Sequence, residues 1–152
     1  MGQQQLLLLV LATVIVGLAT VAGIQAFDEN QTQAAQDALV ERGTNIMSDV
    51  KAELMQSSKF GGHDYNSRAL MVLNDMGYDN KAPDGKYQST VPVEGAPGGG
   101  TCDLGFDDSE KTAGVVCTAD AANQDVKVTL NANGNGEVST EFGTDLTKPG
   151  AD

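Results

Sequence analysis

Cys102 and Cys117 are the only cysteines in a chain of 152 residues, and they flank the turn-like run Asp107–Thr112 almost symmetrically. Two strands folded back about that turn would set the thiols face to face. A cross-strand disulfide follows, which implies an oxidising compartment outside the cytoplasm; a free buried pair is the alternative. His63 is the only histidine, which excludes a multi-histidine metal site within one chain. His63 and Asp64 have the makings of an acid–base pair, but they lie in a glycine-rich stretch without an obvious nucleophile, and a solvated loop accounts for them. Asn131, Asn133, Asn135 and Gly136 echo the opening of a calcium loop, with amides where that loop prefers carboxylates and Phe142 at the bidentate-glutamate position. A hairpin turn explains the same residues. Asp107, Asp108 and Glu110 attract cations loosely at most and read as a solvated loop. Asn30-Gln31-Thr32 matches a glycosylation sequon, a pattern short enough to arise by chance. Nothing here assembles a nucleophile with a base or a set of metal ligands, so the expectation is a protein that is not an enzyme and needs no cofactor.

Acidic residues outnumber basic ones 21 to 9, for a net charge of −12. Nucleic acid is a poor partner for such a chain, because phosphate binding needs a basic face. A polybasic attachment to anionic lipid is excluded on the same ground. The acid surplus suits either concentrated salt, where screening tames self-repulsion, or an ordinary acidic extracellular surface. Eighteen glycines and no tryptophan point to a small, turn-rich folded part with a modest core, of the kind often helped by a staple or by assembly.

The charges are unevenly placed. None occurs from Met1 to Phe27, and Leu6–Ile24 is interrupted only by Thr13, Gly17, Thr20 and Gly23. As a helix this run spans about 28 Å, close to the ~30 Å hydrocarbon core of a bilayer. A transmembrane helix is the default reading. A cleaved signal peptide is the alternative, but the first basic residue is Arg42 and no clear A-x-A site follows. The helical pattern instead continues to about Ser57 without proline. Ala35, Leu39, Ile46, Val50 and Leu54 form an apolar stripe, with Asp37, Glu41, Asp49 and Glu53 largely elsewhere. One helix of over fifty residues is predicted, apolar all round and then amphipathic. Gly17, Gly23 and Gly43 are its weak points, each costing about 1 kcal/mol relative to alanine. Lys59-Phe60-Gly61-Gly62 supplies the stop.

Ser67–Met76 reads as a short helix with Ser67 as N-cap and Gly77 just past its end, a strand being the alternative. Five β-type runs follow: Lys86–Val93, Thr101–Phe106, Ala113–Ala119, Val126–Asn131 and Glu137–Phe142, with Asn133-Gly134-Asn135-Gly136 as the last hairpin turn. The predicted architecture is α+β: a long N-terminal helix packed on a small antiparallel sheet. Residues 1–27 form a membrane or filament-core segment, 28–60 its amphipathic continuation and 61–152 a β-rich head.

An uncharged polar start, an apolar helix that runs on as an amphipathic one, and a small β-rich head with a cysteine pair together resemble a type IV pilin. The architectural likeness covers the whole chain; the specific match rests on about the first 27 residues. The resemblance implies a homopolymeric helical filament on the cell surface, inserted in the inner membrane before assembly. It also implies a prepilin peptidase, which trims and N-methylates the subunit, and a pilus assembly machinery. With no leader in this sequence, Met1 is expected to be the mature first residue; a cut after Gly2 is the alternative, although Met1-Gly2 would be an unusually short leader without a positive charge. Gln5 stands where bacterial pilins usually carry a glutamate that pairs with a neighbour's N-terminal amine, and an amide oxygen can still accept from an ammonium. The family's helix-breaking proline is missing, which leaves Gly17 and Gly23 as candidate sites of local unwinding. A major pilin, a secretion-system pseudopilin and an archaeal-type subunit all remain open. The long amphipathic half and the cysteine pair favour a bacterial pilin-like head. The competing function is a single-pass, membrane-anchored exported domain that binds or senses.

Overall fold

A computed structural model describes residues 2–56, 58–64, 67, 69–81, 83, 85–131 and 136–150. The architecture is α+β. Helix α1 runs from Gly2 to Met55, α2 from Ala69 to Asp75, and the strands are β1 Thr90–Pro92, β2 Gly100–Asp107, β3 Thr112–Ala119, β4 Asp125–Asn131 and β5 Glu137–Gly143. The five strands form one antiparallel sheet in sequence order, β1-β2-β3-β4-β5. The second half of α1 lies across β3 and β4, reaches β2 with its margin, and leaves β5 uncovered.

The helix ends slightly earlier than the sequence suggests. Its last turn closes with the Gln56 N–H donating to Glu53 O at 3.2 Å. A 3₁₀ turn at Ser58–Phe60 follows, whose Phe60 O accepts from Gln56 Nε2 at 2.7 Å. So the stop at Lys59–Gly62 is real, but its first residues already belong to a tighter turn. The second helix is shorter than Ser67–Met76. The Ser67 hydroxyl pairs with Asp64 instead of starting the helix: it accepts from the Asp64 N–H and donates to Asp64 Oδ1, each at 3.2 Å. Gly77 does close the helix as expected, at φ +81°, with its own N–H on Asn74 O and the Tyr78 N–H on Leu73 O, both 3.0 Å. This is the glycine-terminated arrangement that satisfies the last carbonyls.

Four of the five strands fall where the alternation places them. The first does not: Lys86–Val93 shrinks to Thr90–Pro92. The earlier residues pair inward instead, with the Gln88 N–H on Asn80 O at 2.8 Å and an isolated bridge between Lys81 and Tyr87. Pro92, lacking an N–H, suits an edge strand. Of the predicted hairpin turn, Asn133, Gly134 and Asn135 lie outside the described residues. β4 and β5 nonetheless pair antiparallel from Asn131↔Glu137, as a hairpin there requires.

Helix and sheet share one core. Leu39, Ile46, Met47 and Val50 from α1 meet Leu104, Ala113, Val115, Val126, Val128 and Leu130 from the strands, all nearly or fully buried. Alternation does the sorting: on β4, Val126, Val128 and Leu130 are buried while Lys127 and Thr129 are only partly so.

Candidate functional site

The most extensive uncovered apolar surface among the described residues is the first half of α1. At ~1.5 Å per residue the 54-residue helix is about 80 Å long. No described residue before Ala35 is buried. Side chains from Leu6 through Phe27 stand in the open: Leu6 is 67% exposed, Val16 62% and Phe27 71%. Leucine, valine and isoleucine occupy every side of this segment, so no rotation of the head could cover them all. The two threonines give the segment no polar face, since each hydroxyl donates back along the helix at 2.8 Å, Thr13 to Val10 O and Thr20 to Gly17 O. The most apolar part of α1 is long and apolar enough to cross a membrane, and none of it is buried.

Gln5 sits exposed in the opening turns beside Gln3 and Gln4. Met1 lies outside the described residues. The helix passes through Gly17 and Gly23 without a break, and a side chain added at either would meet nothing within 4 Å. Gly43, the third weak point, has a different role. A Cβ built there would come to 3.0 Å from Val128 Cγ2 and 3.4 Å from Cys117 Sγ. The missing side chain is what lets the helix backbone settle onto the sheet. Gly43 belongs to the buried stripe, four residues after Leu39 and four before Met47.

Beneath that seat, Cys102 and Cys117 are joined in a disulfide. They stand directly opposite in the β2–β3 register, with Cα atoms 3.9 Å apart, and both are fully buried. The turn between the strands is set by Asp107, whose Oδ1 accepts the Ser109 hydroxyl at 2.5 Å and the N–H groups of Ser109 and Glu110 at 2.8 and 3.1 Å. The Ser109 hydroxyl, followed by the Glu110 N–H, holds the Asp107 carboxyl below its ordinary range. Asp108 pairs with Lys111, so this acidic group is a turn that satisfies itself.

A second tie fixes α1 to the chain after α2. The Tyr78 hydroxyl donates to Asp49 Oδ2 at 2.6 Å, and Arg42 lies over the Tyr78 ring at 5.1 Å. Burial, then the Asp49 carboxylate, push the Tyr78 phenol up to about 12. Lys51 Nζ donates to Gly136 O at 2.9 Å and anchors the same helix to the start of β5.

His63 does not pair with Asp64. Its Nε2 lies 3.0 Å from Asp75 Oδ2, at the end of α2. Among the described residues no group of three or more histidine, cysteine or carboxylate side chains is placed to hold a metal ion. Of the calcium-like pattern, Asn131 ends β4 and Gly136 precedes β5, and the asparagines between them are not described.

The outer face of the sheet carries a feature that periodicity does not foretell. Gly105 and Gly114 face each other across β2 and β3, and Pro149 lies on the flat patch they make, its ring 2.7 Å from where a Gly114 Cβ would be. Lys148 holds this C-terminal strap by an ion pair to Asp103 at 2.8 Å, with Ser89 at 3.2 Å. Once the cysteines fix the register, Gly105 opposite Gly114 follows from counting, and that pairing is the signal the sequence offers for the patch.

No family model, no curated protein and no solved structure matches this chain.

Proposed function

We propose that this chain is the structural subunit of an extracellular type IV pilus-like filament and polymerises through the first half of α1. The observation that carries the reading is the exposure of Leu6–Phe27 on all sides, without a charge and without any described part of the head to cover it. Water is a poor solvent for such a surface, and an apolar patch of this extent marks an interaction site. Lipid can cover it before assembly. Other copies can cover it afterwards, and a contact between unlike surfaces that does not close into a ring generates a helical polymer. The division of α1 supports the same account: its second half is committed to the head, so the head can ride on the outside of a bundle made by the first half. The resemblance to pilins adds the prepilin peptidase, the assembly machinery, and a role for Met1 and Gln5 near the neighbour's helix.

Electron microscopy of material sheared from the cell surface tests the reading. Filaments whose protein is this chain are the expected result. Detergent-soluble monomers with no filament would favour the competing function, a membrane-anchored exported domain.

A further inference from the structure

We infer that α1 is the lid of the Cys102–Cys117 disulfide, so that the bond is made before the helix settles on the sheet and is closed to thiol reductants afterwards. Both cysteines are fully buried. Their side chains share the inner face with Leu104, Ala113 and Val115, which is the face α1 covers. The helix backbone at Gly43 sits where an added Cβ would be 3.4 Å from Cys117 Sγ. On the flanks, Val91 stands opposite Cys102 and Val126 opposite Cys117, both buried. On the outer face Pro149 lies over Gly114 and Lys148 pairs with Asp103, while Thr101 and Thr118 next to the cysteines are exposed; the inner face under α1 is the side that the helix closes.

Making the bond needs room that this packing lacks. One cysteine thiolate attacks the S–S bond of a disulfide-class oxidant and forms a mixed disulfide, releasing one oxidant thiolate. The second cysteine thiolate then attacks the protein sulfur of that mixed disulfide, closing Cys102–Cys117 and releasing the other oxidant thiolate. Two electrons pass to the oxidant, which leaves as two thiols carrying the two cysteine protons. The mixed disulfide places a foreign sulfur substituent where the helix backbone and the Val128 side chain now stand, and a close-packed interior has no space for it. Loop closure favours the same order. The cysteines are 15 residues apart, whereas Gly43 meets Val115, Cys117 and Val128 only by closing a far longer stretch of chain.

The test uses the full chain in detergent micelles, with alkylation of quenched samples and intact mass as the readout. In the first arm the oxidised chain meets dithiothreitol, folded or in denaturant. Reduction at least a hundredfold slower in the folded chain is expected; folded and denatured rates closer than that would overturn the proposal. In the second arm the reduced chain is either refolded first and then given oxidised glutathione, or refolded in its presence. Amide exchange over residues 35–50 reports whether the helix has docked. Oxidation at least tenfold slower after docking supports the order, as does a reduced chain that stays undocked until oxidised. A reduced chain that docks its helix and still oxidises less than tenfold slower would overturn it.

Discussion

Val16 and Leu39 are aliphatic residues on one uninterrupted helix, yet Val16 is 62% exposed and Leu39 fully buried. The neighbourhood in sequence decides which. Around Leu39 the apolar residues recur on one side only, and the stripe they make lies along β3 and β4. Around Val16 they recur on every side. A sheet can cover one face of a helix and no more, so the second half of α1 finds its partner within the chain, while the first half has no cover among the described residues. Gly43 marks the first kind of contact, where the helix backbone meets side chains of its own sheet. Gly17 and Gly23 lie in the second, with nothing near them.

The largest expected effect follows from putting a charge in the uncovered half. On the proposed filament reading, Val16→Asp should abolish assembly, because a carboxylate in the middle of the apolar segment must be desolvated whether the cover is lipid or neighbouring helices. Filament yield should be compared with the membrane-resident pool, and the melting temperature of the head should not move. Normal filament yield from inserted Val16→Asp subunits would mean that the heads hold the polymer. Gln5→Ala should be milder, since only a neutral acceptor is lost.

The buried half should respond in the opposite way. Ile46→Ala leaves a cavity between α1 and the sheet and should destabilise the head by about 2–5 kcal/mol in thermal or denaturant unfolding. Insertion of the first half in the membrane should be unaffected. A loss below about 1 kcal/mol would mean that the helix is not seated as described.

One substitution made in both halves sharpens the contrast. Gly17→Ala should be neutral to favourable for the helix, by up to about 1 kcal/mol, because it adds helix propensity and meets nothing. At Gly43 the propensity is the same, but a larger residue such as leucine must push aside Val128 and the disulfide, and overpacking of that kind costs about 1–3 kcal/mol. Melting temperatures of Gly17→Leu and Gly43→Leu side by side should show the head destabilised only by the second.

How much of this is legible in the sequence differs between elements for physical reasons. The length of α1, its stripe and the opposed cysteines follow from periodicity and symmetry, which are local properties. Gly77 is readable as a helix terminator because the left-handed conformation it adopts is a single-residue requirement. Gly43 reads only as a weak point, because its value lies in an approach by Val128 and Cys117, residues far away in sequence. The strap at Leu146–Gly150 is invisible for the same reason, since Pro149 and Lys148 gain meaning only against Gly114 and Asp103. The β-type run Lys86–Val93 reads longer than the strand it makes because its first residues pair with Asn80 and Lys81, a choice that alternation does not encode. Of the candidate functional surface, the uncovered helix is visible from charge and hydropathy; the seat of its second half on the disulfide is not.

The smallest effects concern the polar ties at the helix–head junction and the β2–β3 turn. The Tyr78 phenol, raised to about 12, is held neutral by the fold. The stability this contributes is fully present below its ordinary value of 10.0 and is lost as the pH rises through about 12. Tyr78→Phe should therefore flatten the fall of melting temperature across that window. Asp107 works with the other sign: its contribution is present above 3.8 and is lost as the pH falls through its lowered folded value. Asp107→Asn should weaken the acid dependence slightly.

The division of α1 is tested most directly by the heteronuclear NMR spectrum, without detergent, of a chain that begins at Asp28. A dispersed amide spectrum with the linewidths of a monomer is predicted, because the contacts that hold the head together lie after that point. A collapsed spectrum would show that the head needs the first half of α1 to fold. Oligomer linewidths would place the assembly surface in the head itself, and either result would contradict the account.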